Sequence, residues 1–560
     1  MFVKMGSQVW RMGMCFWMCL FGLSFIHCVS SEGEGIGGGS VEALVRIDGK
    51  EAIGKIDEDF ICATLDWWPP EKCDYGTCSW GKTSLLNLDL SNTILSNAIK
   101  AFSPLKLRLG GTLQDKVTYD TDDNKQPCPV PFVENTTAMF GFNEGCLPMK
   151  RWDELNSFFL RTGAKIVFGL NALPGRTLHH DGSASGSWDS TNAESFIQYT
   201  VKNNYSVAGW ELGNELSGRG VGTSVSASQY VNDSASLHSI VQKLYKGAGP
   251  KPLIIAPGGF FDAPWFKDLA DKSTTSLDAL SHHIYNLGPG VDATERLIEK
   301  ILDPVSLDSM VDTFRTLQNI LKTSASSATA WVGESGGAWN SGHHLVTDAF
   351  VFSFWYLDQL GMSASYDTKT YCRQTLVGGN YGLLNTTTFV PNPDYYSALL
   401  WHRLMGRNVL ATRFGGPKKI RAYTHCAKQS KGIVVLLINL HNTTTVQAKV
   451  AFNSTWSLRY KHRSHKSFRT DMLKNQHSGV RSRVERLRGE TEREEYHLTP
   501  KDGNIQSQTM LLNGNALNVD SSGNIPTLEP VFVNSSRPIN VAPFSIVFVH
   551  IPYVAPPACR

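Results

Sequence analysis

The 560-residue chain has no surplus of either charge: 53 Lys and Arg stand against 50 Asp and Glu, a formal net charge of +3. So small an excess gives nucleic acid no general attraction. Beyond residue 30 no run is long and apolar enough to cross a bilayer, which needs about 20 apolar residues. The last residues, Pro556-Pro557-Ala558-Cys559-Arg560, lack the hydrophobic tail of a lipid-anchor signal. Cys73 and Cys78 have no second Cys/His pair at ligand spacing, which argues against zinc. The expectation is a protein with no metal, no cofactor, no nucleic-acid partner and no membrane span once a leader is removed. Peripheral membrane association and oligomeric state stay open.

What is present at the N-terminus reads as that leader. Lys4 and Arg11 precede an apolar stretch from Met12 to Val29, and small residues follow at Val29-Ser30-Ser31. This is the layout of a secretory signal over residues 1–30. A membrane anchor is the competing reading, weakened by Gly13, Gly22, Ser24 and His27 within the run. Seven Asn-x-Ser/Thr sequons, at Asn135, Asn204, Asn232, Asn385, Asn442, Asn453 and Asn534, fit an exported glycoprotein. Eight of the 11 cysteines lie outside the leader: Cys62, Cys73, Cys78, Cys128, Cys146, Cys372, Cys426 and Cys559. In an oxidising compartment several of them are expected to pair. The secretory pathway is the expected route, with the cell wall, extracellular space and vacuole or lysosome undistinguished.

At this length two domains are the natural expectation. From about residue 60 to 404, short apolar runs alternate with amphipathic stretches. Eight candidate strands are Phe60 to Leu65, Leu105 to Leu109, Lys165 to Leu170, Val207 to Leu212, Pro252 to Ala256, Leu277 to Ser281, Ala328 to Val332 and Met362 to Tyr366. Helix-like segments between them include Trp152 to Thr162 and Ala227 to Tyr245. That alternation implies parallel βαβ units, and eight repeats fit a (β/α)₈ barrel. From about residue 405 to 560 the runs read as β, predicting an antiparallel β-sandwich. The N-terminal segment 31–59, with its β-like Val41 to Ile56, is expected to join that sheet. Arg459 to Glu495 is basic and poor in apolar residues, so it reads as a solvated loop inserted in the sandwich, with polyanion binding as the alternative.

The ends of the barrel strands carry the chemistry. Asp66 follows the first, Asn171 the third, Asn214 and Glu215 the fourth, His282, His283 and Tyr285 the sixth, Glu334 the seventh and Asp367 the eighth. A barrel gathers strand ends on one face, where active sites are built. Turns are polar anyway, but a carboxylate directly after a buried strand is costly unless paired or used. Two carboxylates across one cleft can cut a glycosidic bond. Glu215 is the candidate acid/base, with a pKa expected to be lifted by burial and a negative neighbour, and Glu334 is the candidate nucleophile. Asn214 is placed to bond a sugar 2-OH, and the Tyr285 phenol to orient Glu334. Glu211 competes on the same strand; Glu215 is preferred because it lies at the strand end beyond Gly213.

Six stretches, namely Leu107-Arg108-Leu109-Gly110-Gly111-Thr112, Phe168 to Leu173, Trp210 to Leu216, His282 to Tyr285, Val332-Gly333-Glu334-Ser335 and Gly378-Gly379-Asn380-Tyr381, resemble glycoside hydrolase family 79, the β-glucuronidases that include the heparanases. The similarity runs in order from about residue 41 to Cys559 and favours the plant heparanase-like branch. It implies a retaining β-glucuronidase acting on glycans or glucuronide conjugates, and a glucuronate held by Gly379, Asn380 and Tyr381 with Asp66, Thr112 and Asn171 lining the site. It further implies a Cys426–Cys559 disulfide. Trp339-Asn340-Ser341-Gly342 departs from the family's glycine-rich run after the nucleophile. The stretches at Leu113, Pro257 to Phe260 and Leu287 to Gly290 lack Lys and Arg, so strong specificity for heparan sulfate is not expected. A non-catalytic glycan-binding relative and a heparan-sulfate-type endoglucuronidase are the alternatives.

Overall fold

The computed structural model describes residues 39–122, 128, 132–452 and 492–560. The leader, Asn453 and the basic loop up to residue 491 therefore lie outside the described residues. Gly39–Arg560 forms one compact unit.

Eight parallel strands close into a barrel. After an N-terminal strand β1 (Ser40–Lys55), they are β2 (Ile61–Asp66), β3 (Lys106–Gly110), β4 (Lys165–Leu170), β5 (Gly209–Leu212), β6 (Leu253–Phe260), β7 (Ala279–Ile284), β8 (Thr329–Ser335) and β9 (Thr370–Arg373). Each is followed by at least one helix, from Thr93–Lys100 after β2 to Pro393–Leu404 after β9. The strands are buried almost throughout, because helices cover the outside and side chains fill the inside. Cys62 and Cys372 are register partners on β2 and β9, and their disulfide ties the first barrel strand to the last.

One strand differs from expectation. Met362 to Tyr366 is not the eighth strand; it falls mostly in helix Phe352–Ser365, and the strand is β9. This helix is buried on nearly every face, so it lacks the polar stripe that marks a surface helix. It is wedged between barrel and sheet. Asp358 accepts hydrogen bonds from Arg421 and Tyr423, each at 2.6 Å, and a Cβ at Gly361 would lie 2.3 Å from the Tyr423 ring. Asp367 consequently precedes the last strand rather than following it. It accepts from the Lys55 backbone N–H at 2.7 Å, at the barrel end opposite the strand C-termini.

The predicted sandwich is an eleven-stranded sheet, and β1 belongs to it. β1 runs antiparallel to Met405–Gly415 and parallel to Thr445–Phe452, the one parallel pairing in this sheet among the described residues. Its central strand, Ile433–Asn439, is buried on both faces. Val434, Leu436 and Ile438 pack into the barrel's core, while Ile433, Val435 and Leu437 pack into the sheet's own core with Val45, Ile47 and Val549. Double burial explains why this strand is an unbroken apolar run. The Cys426–Cys559 disulfide pins the C-terminal turn to the sheet, and the Cys73–Cys78 and Cys128–Cys146 bonds staple two loops above the barrel.

Candidate active site

At the C-terminal mouth of the barrel lies a cavity of about 500 Å³, lined by Asp66, Thr112, Glu215, Tyr285, Glu334 and Tyr381, among others. The backbone that delivers the two glutamates is irregular at both. Glu215 sits past the end of β5 with φ +56°, directly after Gly213 at +73° and Asn214. A left-handed glutamate is uncommon, and such strain persists where surrounding contacts enforce it. Here the Glu215 N–H donates to Gly258 O at 2.7 Å and its carbonyl accepts from Val221 at 2.8 Å. Glycine is needed opposite: a Cβ at Gly259 would lie 3.1 Å from Glu215 Cα. On β8, the register to β7 slips so that His282 faces Val332 and His283 faces Glu334, leaving Gly333 as the extra residue. A bulge of this kind re-aims the next side chain, in this case Glu334.

One carboxylate oxygen of Glu215, one of Glu334 and a ring nitrogen of His283 lie within 4.8 Å of one another. Tyr285 donates its phenol to Glu334 Oε1 at 2.6 Å, as its position suggested. The other oxygen, Oε2, accepts from Arg108 Nη1 at 2.8 Å. Arg108 also donates to Glu211, and through Nη2 to Asn214 Oδ1 at 2.9 Å. Glu211 is sealed inside the barrel with that guanidinium, its side chain 1% exposed, which removes it as the rival of Glu215. His283 Nδ1 lies 3.0 Å from Glu215 Oε1, and burial holds this imidazole down to about 4, so it is neutral near pH 7. His282, its neighbour, faces the core between Phe261 and Phe314.

Burial pushes the Glu215 carboxyl up to about 7, opposed in part by Arg108. The negative neighbour anticipated for it is not needed; loss of water does the work. Asp66 is also raised well above the carboxylate range, by burial first and by the Glu334 charge second. Its Oδ1 is buried without a hydrogen-bond partner, while Oδ2 accepts from Gln374.

Other expected residues sit differently. Asn171 turns into a neighbouring cleft with Asp115 and Lys116, its Nδ2 donating to Val117 O at 3.1 Å. It does not line the glutamate cavity. Gly379 and Asn380 line an adjoining cavity, and the Asn380 N–H is spent on Ser341 O at 2.7 Å, so that amide is not free for a substrate carboxylate. Asn214 is buried behind the site, bonded to Arg108 and, through its N–H, to Asp115 at 2.8 Å. Residues that sequence reasoning gave no role are Arg108, His283, Gln374, Trp68 and Lys72. Lys72 reaches the cavity from a loop that precedes the first barrel helix, its ammonium 4.7 Å from the Trp68 ring centroid. The six described sequon asparagines are at least partly exposed.

Among the described residues, two clusters have donor sets that could surround a cation. Cys128 and Cys146, beside Asp120, are consumed by their disulfide. In the Glu215–His283–Glu334 cluster both Glu334 oxygens already hold donors, one of them a guanidinium. That chemistry suits a carboxylate pair rather than a metal ion.

Comparison with known proteins gives the family. The profile described as glycosyl hydrolase family 79, N-terminal domain, matches residues 42–361. Heparanase-like protein 3 of Arabidopsis thaliana is 60% identical over 97% of this chain and 98% of its own length. Baicalin-beta-D-glucuronidase of Scutellaria baicalensis is 43% identical over 98% of this chain and 97% of its own. In fold, the chain is similar to a 4-O-alpha-L-rhamnosyl-beta-D-glucuronidase from Fusarium oxysporum, with a TM-score of 0.58 at 15% identity, covering 90% of this chain and all of that one. The chain belongs to glycosyl hydrolase family 79 and is a glycoside hydrolase.

Proposed function

We propose that the protein is a retaining β-glucuronidase of the secretory pathway, with Glu215 as acid/base and Glu334 as nucleophile. The observation that carries this is the approach of their oxygens to within 4.8 Å. Retaining enzymes hold their carboxyl groups about 5–5.5 Å apart, whereas inverting ones leave about 6.5–9.5 Å for a water. Glu215, held protonated near neutral pH by burial, gives its proton to the departing oxygen. Glu334, oriented by Arg108 and Tyr285, attacks the anomeric carbon and forms a glycosyl ester. Glu215, now a carboxylate, takes a proton from water, and the hydroxide equivalent cleaves the ester with a second inversion.

Uronate selection is supported by the donors at the cavity wall and by the activity named for the Scutellaria relative. The Tyr381 phenol receives only a distant contact from Gln374, 3.5 Å, leaving its proton for a ligand. The Lys72 ammonium is the other donor. Among the described residues lining the cavity Lys72 is the sole Lys or Arg, and it is paired with Asp74 at 2.7 Å. A densely sulfated chain calls for several cations, so the reading is a glucuronidase without heparan sulfate preference. Secretion rests on the leader-like N-terminus, the sequons and the four disulfides. The test is mass spectrometry after a 2-fluoro-glucuronide trap. A label on Glu334 is expected; a label elsewhere, or a first product of inverted anomeric configuration, ends the proposal.

A further inference from the structure

The cavity has a direction. At one end Glu215 is surrounded by His283, Gly258, Gly259 and Val221. At the other, Tyr381 packs at 6.2 Å from the Trp80 ring and against the turn at Ser341–Gly342. Round the barrel the strands run β5, β6, β7, β8, β9, β2: Glu215 follows β5 and is held by Gly258 and His283, Glu334 is on β8, and Gln374 after β9 joins Asp66 at the end of β2 to the Tyr381 phenol. The order along the cleft is therefore Glu215, Glu334, Asp66, Tyr381. An acid/base stands on the leaving-group side of the bond it cleaves. In a pyranose C4 is opposite C1, so O4 of the bound sugar faces the Tyr381 end.

That end is bridged. The Ser341 hydroxyl donates to Asp74 Oδ2 and receives the Trp80 indole N–H at 2.9 Å. Beside it, Asn340 Nδ2 donates to the Tyr75 phenol at 3.0 Å. Asp74 has its other oxygen on Lys72, 2.7 Å away. The two sides of the bridge are separately stiffened. Asp74 and Tyr75 lie within the loop closed by the Cys73–Cys78 disulfide. Asn340 and Ser341 are consecutive left-handed residues, φ +55° and +69°, a costly pair outside glycine. Asp74, Asn340 and Ser341 each line two cavities: the one holding the glutamates, and a larger one of about 720 Å³ on the far side, with Gly379, Asn380 and His343. The bridge is the partition between them.

We propose that this partition, Asp74 and Tyr75 against Asn340 and Ser341, makes the enzyme exo-acting. It admits a terminal uronic acid with a free O4 and excludes a chain that continues through O4. The inference rests on the assignment of Glu215 and Glu334 above, which sets the direction of the cleft. It also gives the departure at Trp339-Asn340-Ser341-Gly342 a role.

The experiment uses the full-length secreted protein and two probes, an aryl β-D-glucuronide and the same compound carrying a further sugar on O4. The expected kcat/KM for the capped probe is lower by about a hundredfold or more. Comparable rates on both probes overturn this proposal alone. Inactivity on the uncapped probe overturns the glucuronidase reading, and this one with it. A Tyr75→Phe/Asn340→Ala variant removes the outer bond without touching the glutamates, and Asp74→Ala removes the inner one. In either variant the ratio of capped to uncapped kcat/KM should rise by about tenfold. An unchanged ratio in a soluble variant, with its four disulfides intact, shows that the bridge is not the barrier.

Discussion

The Arg108 guanidinium lies 2.8 Å from Glu334 Oε2 and, through its other nitrogens, holds Glu211 and Asn214. One buried cation is thus shared by two barrel carboxylates and fixes the residue next to the acid/base. Removing one partner of a buried ion pair leaves an uncompensated charge, which costs about 3–5 kcal/mol. Arg108→Met is expected to lose stability of that order in chemical denaturation and to abolish turnover. Arg108→Lys keeps the charge but cannot reach three acceptors with one planar fork, so it should fold and lose kcat with little change in KM. Wild-type kcat in Arg108→Lys would show that the fork is dispensable.

The barrel and the glutamate pair were legible because both follow simple rules: alternation of strand and helix, and carboxylates directly after apolar runs. Arg108 obeys the same rule as Glu334, a charge inside a buried strand that must be paired, yet its only distinguishing mark is the apolar residues on either side. Strand β9 was misplaced because Thr370-Tyr371-Cys372-Arg373 is short and half polar, while the helix before it is apolar all round. That misplacement hid Gln374, which follows the true strand and holds Asp66. Lys72 was missed for a different reason. It reaches the cavity from a loop, just before the Cys73–Cys78 disulfide, and loop geometry has no period to read. Asn171 shows the converse error, since position after a strand does not say which way a side chain turns.

Tyr285 and the nucleophile form a second testable contact. The phenol bond to Glu334 Oε1 is short and involves a carboxylate, a class worth about 1.5–3 kcal/mol. Tyr285→Phe should lower kcat/KM for an aryl glucuronide by about ten- to hundredfold while leaving the fold intact by circular dichroism. Glu334→Gln should lower it by on the order of 10⁴ or more, because no other side chain is positioned to form the ester. Equal losses in the two variants would mean that the phenol is itself indispensable to the chemistry.

Cys62–Cys372 joins residues 310 apart in sequence at the seam of the barrel. Such a closure restricts the unfolded chain strongly, and losing a native disulfide costs about 2–5 kcal/mol. The double variant Cys62→Ala/Cys372→Ala should melt at lower temperature, with KM for the aryl glucuronide unchanged in the folded fraction. The Cys426–Cys559 pair, far from the cavity on the sheet, should likewise alter melting but not catalysis. A change in KM on losing Cys426–Cys559 would contradict that separation.

Glu215 links activity and stability to pH in a defined direction. Burial raises its carboxyl from 4.5 to about 7. Cleavage needs the protonated form, so kcat/KM for a substrate with a poor leaving group should fall as pH rises through about 7. A substrate with a good leaving group needs little protonation, so Glu215→Ala should harm it far less in the glycosylation step. Stability runs the same way. Between 4.5 and about 7 the folded protein keeps a proton that the unfolded chain has released. Unfolding is therefore increasingly favoured as pH rises across that window; the contribution is complete below 4.5 and lost above about 7. Glu215→Gln cannot titrate, so its denaturation free energy, measured at intervals over this range, should decline less than the wild type's. His283, lowered from 6.5 to about 4, adds an opposite slope between those values, because there the unfolded chain binds a proton that the folded one does not; the comparison of wild type with Glu215→Gln removes it, since both carry His283. Parallel stability curves for wild type and Glu215→Gln would show that Glu215 titrates at an ordinary value and that the alkaline limb of activity belongs to another group.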